Sequence, residues 1–568
     1  MDNRRIFLLA AGLFIAFLIY QAWMRDYGPQ PVPAPADVPA AATRAPDASA
    51  PPLPPVPDAD STGKQAATQQ PTAAPPTPAQ PGTLIHVHTD VLDLNIDTAG
   101  GNIRDARLLD YPAELKDPRI LVHVLSSAPD DLLLFQSGLQ TRSGPTAPVQ
   151  TALYTTNRTD YSLTPGQNAL DVSLVWSDPH GLEVEKTYHF TRNSYQVDVT
   201  YTVKNHSSQP WQGSAYAQFQ NHYTPASHSL FSAHRYDYQR VAMHGTDGYK
   251  QYEFSDLAEK PLAETVADGW LGVVNHYFLA AVIPQDAGAS ATDKNFYYSK
   301  ALGDADYLVG VVSAAHTVAP DATASFRNKL FLGPKLQTRL AGVAPGLELT
   351  VDYGKLTIIA QPIFWVLEQI HRFIGNWGWS ILVLTLLLKL LTYKLNEMSG
   401  RSMAKMRLVQ PRLKALQERY KDDRAKQSQA MMEFYKKEKI NPMGGCLPML
   451  IQMPIFFALY YVLVYSVELR QSPWIGWIHD LSAPDPLYIL PVVYGVVMFV
   501  QQRISPQPTT DNMQRRIMMV MPFGIAIMYL VFPSGLALYY VANSILTIAQ
   551  QWHINRVIER ESKQHTKK

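Results

Sequence analysis

One long apolar run opens the chain and five more crowd its last third, and this pattern limits the fold more than any other feature. Lipid offers no hydrogen bonds, so such runs must close their backbone bonds internally, as helices. They are Ile6 to Trp23, Asn376 to Tyr393, Leu447 to Val467, Leu487 to Val500, Ile517 to Phe532 and Leu536 to Trp552. The first holds 18 residues, about 27 Å of helix, close to the thickness of a bilayer core.

Loop charges test the count. Lys394 to Asn441 carries 13 Lys plus Arg against 6 acids, while Glu468 to Pro486 has one basic residue, Arg470. Gln501 to Arg516 has three arginines and one acid, and the tail from His553 has five basic residues and two acids. Basic and non-basic loops alternate as the positive-inside rule requires. Six spans fit, with both termini in the cytoplasm. Leu356 to Gly375 is apolar but broken by Gln361, Pro362, Glu368, His371 and Arg372, and is expected to lie in the outer interface as an amphipathic helix. A span there would throw the 13-charge loop to the wrong side. Arg4 and Arg5 hold the N-terminus inside whether the first run is cleaved or kept. Tyr20 and Trp23 at its outer end, with no small-x-small site directly after Tyr20, favour a retained anchor.

Between these apolar ends the chain is polar, so the mean hydropathy of −0.12 misleads. In residues 29–82, 30 of 54 are Pro or Ala, a linker that cannot bury a core. Residues 83–350 carry period-two alternation, as in Leu92, Leu94, Ile96 and in Tyr195, Val197, Val199, Tyr201, Val203, with a turn at Gly100-Gly101. Many short strands split by turn residues predict an all-β sandwich. The single cysteine, Cys446, allows no internal disulfide, so this exported domain must stand on its core alone. The predicted order is an anchor in 1–28, the linker, the β domain, the interfacial helix in 351–375, a five-span core in 376–555 and a basic tail in 556–568. A helical hairpin over 399–440 interrupts the core.

Candidate functional residues gather in the core. Lys389 interrupts the apolar run Ile381 to Leu391. A charge at mid-membrane costs about 2.5–3.5 kcal/mol and marks function by default. The alternative is that Lys389 snorkels to the cytoplasmic edge, five residues away at Lys394. Thr385 lies one turn earlier on the same face. Gln452, Tyr539, Tyr540, Asn543 and Ser544 sit at similar depth, either as interhelical bonds or as the lining of one hydrated cavity open to the cytoplasm. No polar set continues through the outer half. Met518, Met519, Met521 and Met528 crowd the fifth run, as pliable contacts or as plain filler. In the basic loop, Met406, Val409, Leu413, Leu416 and Tyr420 recur at helical spacing, followed by Met431, Met432, Phe434 and Tyr435. They predict paired helices, either lipid-facing or a capturing arm.

Enzyme signatures are lacking: there is no HExxH, GxSxG or complete P-loop. The net charge of +1 argues against sequence-specific nucleic-acid binding. His86 and His88 share a strand face, as surface residues or as a pair of metal ligands. No cofactor and no metal site are expected.

Five stretches then match a known pattern: Ser402-Met-Ala-Lys-Met406, Asn441-Pro-Met-Gly-Gly-Cys-Leu-Pro-Met-Leu-Ile-Gln-Met-Pro454, Ser466-Val-Glu-Leu-Arg470, Trp477-Ile-His-Asp-Leu481 and Phe532-Pro-Ser-Gly-Leu-Ala-Leu-Tyr-Tyr540. In these the chain resembles the YidC family of membrane protein insertases, in its Gram-negative form. The resemblance implies a polytopic α-helical membrane protein with six spans and a five-helix core, carrying an all-β periplasmic supersandwich similar to sugar-binding folds. It implies a bacterial inner-membrane location with residues 29–350 periplasmic. It also implies a non-enzymatic insertase and chaperone for nascent membrane proteins, working alone or with the Sec translocon. The family's groove cation is usually arginine. Lys389 stands there with the charge but without the guanidinium fork, and Thr385 and Tyr540 match further groove positions. The segment Tyr393-Lys394-Leu395 departs from the family's proline-containing pattern. Substrate would leave into lipid along Met453, Phe457, Met518, Met521 and Met528, after capture by the hairpin residues Met406, Leu413, Tyr420, Met431 and Tyr435. The basic hairpin and tail would face the ribosome. A solute transporter should show inverted repeats or paired broken helices, and none is visible. A glycan-binding module on an anchor would not need five further spans.

Overall fold

The computed structural model describes residues 82–566, except 225–237, 286–293, 304, 421–422, 439–446 and 505–511. The run Ile6 to Trp23, nearly all of the linker and Cys446 lie outside the described residues.

Alternation builds the β domain as expected. In Gln196–Asn205 every second side chain is buried, with Val197, Val199, Tyr201 and Val203 fully so. Each such side chain contributes about 1.5–3 kcal/mol of burial. Strands from Leu84 to Pro334 form two sheets, of eleven and eight strands. In the larger sheet Trp211–His222 pairs antiparallel with Leu133–Ser143, and in the smaller Gln196–Asn205 lies between Leu182–Thr191 and Thr323–Pro334. The sheets bury their inner faces in one sandwich core. Gly100 and Gly101 turn the chain with φ of 79° and 59°, a region that glycine enters without strain.

In the strand Leu182–Thr191 one inward position breaks the apolar rule. Leu182, Val184, Lys186, Tyr188 and Phe190 all point into the sandwich. The Lys186 ammonium donates to the carbonyls of Gly100 (3.0 Å), Gly101 (2.7 Å) and Ser137 (3.3 Å), among the rings of Tyr154, Tyr188 and Tyr201. Burial holds its pKa well below the usual lysine range.

Helices take over after the sandwich. They are α1 (Thr357–Ile374), α2 (Trp377–Leu391), α3 (Tyr393–Arg419), α4 (Arg424–Lys437), α5 (Leu447–Tyr465), α6 (Ile489–Ile504), α7 (Asn512–Met528) and α8 (Ser534–Thr566). A helix thus covers each of the five C-terminal apolar runs. Among the described residues no single helix is both long and apolar enough to cross a membrane, but Trp377–Leu391 and Tyr393–Ser402 qualify as a pair bent by 57°. The amphipathic helix α1 buries Ala360, Ile363, Phe364 and Leu367 and exposes Ile358, Trp365 and Phe373. Gly375 closes it in the left-handed conformation, and the Asn376 side chain caps α2. The hairpin predicted over 399–440 forms as α3 and α4, six residues earlier than its predicted start because α3 follows directly on α2. Gln427 Nε2 bonds the Gln417 carbonyl at 2.8 Å, and Asp423 caps α4.

The short turn Pro533-Ser534-Gly535 predicts a hairpin of the last two helices, and among the described residues they are in contact near the turn rather than along their length. They meet at Tyr529 and Tyr540, and then each packs on α6. The turn is bonded to another loop, and this pulls the two helices apart. Packing neighbours follow one another as α5, α1, α2, α8, α6 and α7 in an arc, with α5 also touching α8 through Gln452 and Phe456.

Candidate functional site

The predicted groove residues fall on α2, α5 and α8 of this arc. Lys389 lies half-buried one turn before the bend at Thr392, and its ammonium donates to Thr547 Oγ1 of α8 at 2.9 Å. It is therefore directed at a neighbouring helix, and among the described residues it forms no ion pair with a carboxylate. Gln452 of α5 donates to the Tyr539 hydroxyl of α8 at 3.0 Å, and Tyr540 packs against Phe456 of α5. Thr385 stands apart. It is buried and its hydroxyl is spent on the Ile381 carbonyl of its own helix at 2.6 Å. Ser544 is also buried, and Asn543 supplies the carbonyl that accepts the Thr547 hydroxyl at 2.6 Å.

Sequence reasoning missed the polar ladder that continues from Lys389 toward the end of the arc. Asn396 Nδ2 bonds Gln550 Oε1 at 3.2 Å, Gln550 Nε2 bonds the Tyr393 carbonyl at 3.3 Å, and the Tyr393 hydroxyl meets His553 Nδ1 at 3.3 Å. Asn543, Thr547 and Gln550 recur at i, i+4 and i+7, a helical stripe that the sequence does carry. The eye stops at the apolar residues between them.

At one end of the arc the turn before α8 is tied to the loop 480–483. Ser534 N bonds the Ala483 carbonyl (2.7 Å), Gly535 N the Leu481 carbonyl (2.9 Å) and Ser534 Oγ the Asp480 carbonyl (2.7 Å). Buried Asp485 accepts from Trp477 Nε1 at 2.9 Å and from the backbone of Leu487 and Leu490, capping α6. The motifs Trp477 to Leu481 and Phe532 to Tyr540 are thus one knot. Aromatic contacts among Tyr460, Tyr494, Tyr529, Phe532 and Tyr540 fill the space beneath it. Tyr540 joins the two sets, packing on Phe456 as well as on Tyr494 and Tyr529.

Both ends of the arc present pliable apolar surface. Met453 and Phe457 of α5 and Met521 and Met528 of α7 are exposed, while the Met518 side chain lies outside the described residues. In the hairpin Leu413 is buried, Met431 receives a long hydrogen bond from Gln417, and Met406, Tyr420 and Tyr435 are half-buried. His86 and His88 share Asp93, at 2.6 and 3.6 Å, and no group of three metal-ligating side chains occurs among the described residues.

The sandwich is fastened to the C-terminal end of α5. His276 Nε2 donates to the Val464 carbonyl at 2.8 Å, and Arg470 Nη2 bonds the Pro112 and Ala113 carbonyls at 2.8 and 3.1 Å. Glu468 is half-buried in this seam with one carboxyl oxygen enclosed and unpartnered, and desolvation raises its pKa to about 7. Burial also lowers His276 to about 4, so it donates as a neutral imidazole.

Comparison with known proteins follows the same two-part division. The YidC periplasmic domain profile matches residues 84–366, and the 60Kd inner membrane protein profile matches residues 369–562. A membrane protein insertase YidC of Nitrosococcus oceani is 44% identical over 570 residues, covering 99% of this chain and 100% of its own. One of Thioalkalivibrio sulfidiphilus is 44% identical over 576 residues, with the same shares. A solved active YidC insertase with its first transmembrane domain resolved is 19% identical, with a TM-score of 0.37, covering 83% of this chain and 94% of that one.

Proposed function

The chain belongs to the YidC family of membrane protein insertases, an inner-membrane family, and from that membership we propose that it inserts nascent proteins into the membrane through a groove open to the cytoplasm. The observation that carries this reading is the Lys389 ammonium, held by a neutral hydroxyl and left without a carboxylate partner among the described residues. Its charge is available to an acidic group on a passing chain.

The hairpin α3–α4 receives a hydrophobic nascent segment from the cytoplasm. The short polar tail of that segment enters beside Lys389, Thr547 and Gln452, while the knot at Ser534 and Asp480 closes the outer end. The tail crosses only the remaining apolar layer. The apolar helix leaves between α5 and α7, over Met453, Phe457, Met521 and Met528, and its partition into lipid drives the step. Each Leu, Ile, Phe or Val near the bilayer centre contributes about 0.3–0.6 kcal/mol. No nucleotide is consumed. The six spans place both termini in the cytoplasm and the sandwich in the periplasm. The Sec translocon and the ribosome are partners in this scheme, the latter through the basic hairpin and tail. The same open surface serves as a folding chaperone for helices not yet paired.

Photocrosslinking of a stalled nascent chain tests the route. Adducts are expected from probes at Thr547, Met453 and Met521, and not from Trp552 on the exposed side of α8. Normal insertion with no adducts at the first three positions refutes it.

A further inference from the structure

We propose that the hairpin turn Ala113–Ile120 of the sandwich is a second membrane contact, resting on phospholipid of the outer leaflet. This rests on the reading above that α5 crosses the bilayer with its C-terminal end outward.

Strand Asn102–Pro112 ends at the seam. There its Pro112 and Ala113 carbonyls accept from Arg470, and Gln471 Nε2 adds a third bond to Pro112 at 3.0 Å. Arg470 lies five residues beyond the last residue of α5, Tyr465. The turn is therefore pinned where α5 leaves the membrane. Ala113 N bonds the Ile120 carbonyl at 2.6 Å, and Arg119 grips Asp117 through two bonds of 2.9 and 3.0 Å. The turn is thus closed; of its two acids Asp117 is paired with Arg119 and Glu114 is exposed. It exposes Leu115 and Ile120, at 47% and 48%, with Lys116 between them, alongside Glu114, Pro118 and Arg119.

Two residues of chain span at most about 7 Å, so Leu115 cannot stray far from the Arg470 anchor. The loop that carries Arg470 also exposes Ile475, and Leu487 and Tyr488 stand exposed just before α6. Leu115 and Ile120 extend this apolar rim. An apolar pair flanking a lysine fits a phospholipid surface, with methyl groups below the phosphates and the ammonium among them. Other exposed apolar residues of the sandwich lack this setting. Leu153 bridges Ala99, beyond the opposite end of strand Asn102–Pro112, about 30 Å from the seam.

The test uses the full chain with Cys446→Ser, reconstituted in phosphatidylethanolamine and phosphatidylglycerol vesicles. Leu115→Cys, Leu153→Cys and Val496→Cys each receive an environment-sensitive fluorophore, and lipids spin-labelled near the headgroup act as quenchers. The expected result is at least twofold quenching at Leu115→Cys and Val496→Cys, and none at Leu153→Cys. Quenching at Val496→Cys with Leu115→Cys matching Leu153→Cys overturns the proposal and leaves the spans intact. Loss of quenching at Val496→Cys refutes the spans themselves. Protection of Leu115→Cys in native membranes but not in the vesicles assigns the turn to a protein partner and likewise overturns the proposal.

Discussion

Removing the charge at Lys389 isolates its proposed work. A carboxylate brought to 4 Å of the ammonium gains about 4 kcal/mol at an effective dielectric of 20. Desolvation of both groups takes back part of this, and charged hydrogen bonds net about 1.5–3 kcal/mol. Lys389→Ala should therefore slow insertion of a substrate with an acidic tail by roughly 10- to 150-fold. Lys389→Glu should be worse, because repulsion replaces a mere absence. Lys389→Arg should retain activity. The fold is not at risk, since the ammonium's one hydrogen bond among the described residues is to Thr547. The assay is protease protection of the translocated tail, at native expression. A matched substrate with Asn in place of each tail Asp should lose the dependence on Lys389. Equal insertion of the acidic substrate by wild type, Lys389→Ala and Lys389→Glu would refute the electrostatic argument.

Three further outcomes follow from the packing. Glu468, raised from 4.5 to about 7, binds its proton more tightly in the folded seam than in the unfolded chain. The seam should therefore weaken as pH rises from 4.5 to 7, by about 3 kcal/mol in all, and Glu468→Gln should flatten that slope in hydrogen exchange at the Val464–Arg470 amides. Lys186→Ala removes a buried ammonium and strands its carbonyl acceptors, so thermal unfolding of the full chain should report a loss of about 3–5 kcal/mol. A Cβ at Gly378 would fall 2.2 Å from Cδ1 of Trp474, so Gly378→Ala should cost about 1–3 kcal/mol in melting and be relieved by Trp474→Ala.

Much of this architecture was legible because hydrophobicity and charge act locally. The apolar runs, the interfacial break at Pro362 to Arg372 and the strand alternation each sit within a few residues of their cause. Lys186 shows where such reading fails. Its register says inside and its charge says outside, and only the distant carbonyls of Gly100, Gly101 and Ser137 decide between them. The partner of Lys389 was missed for the same reason, since Thr547 is 158 positions away. The parting of α7 from α8 depends on bonds from Ser534 and Gly535 to the Leu481–Ala483 loop, which no helical period encodes.

Helix α7 finds its main packing on α6, which leaves the proposed groove open along one side. On the reading proposed here, cargo slips in and out sideways, so its girth sets no limit and no continuous column of water ever links the two compartments. The cell's proton gradient is then spared during every passage, without a plug or a timed gate to guard it.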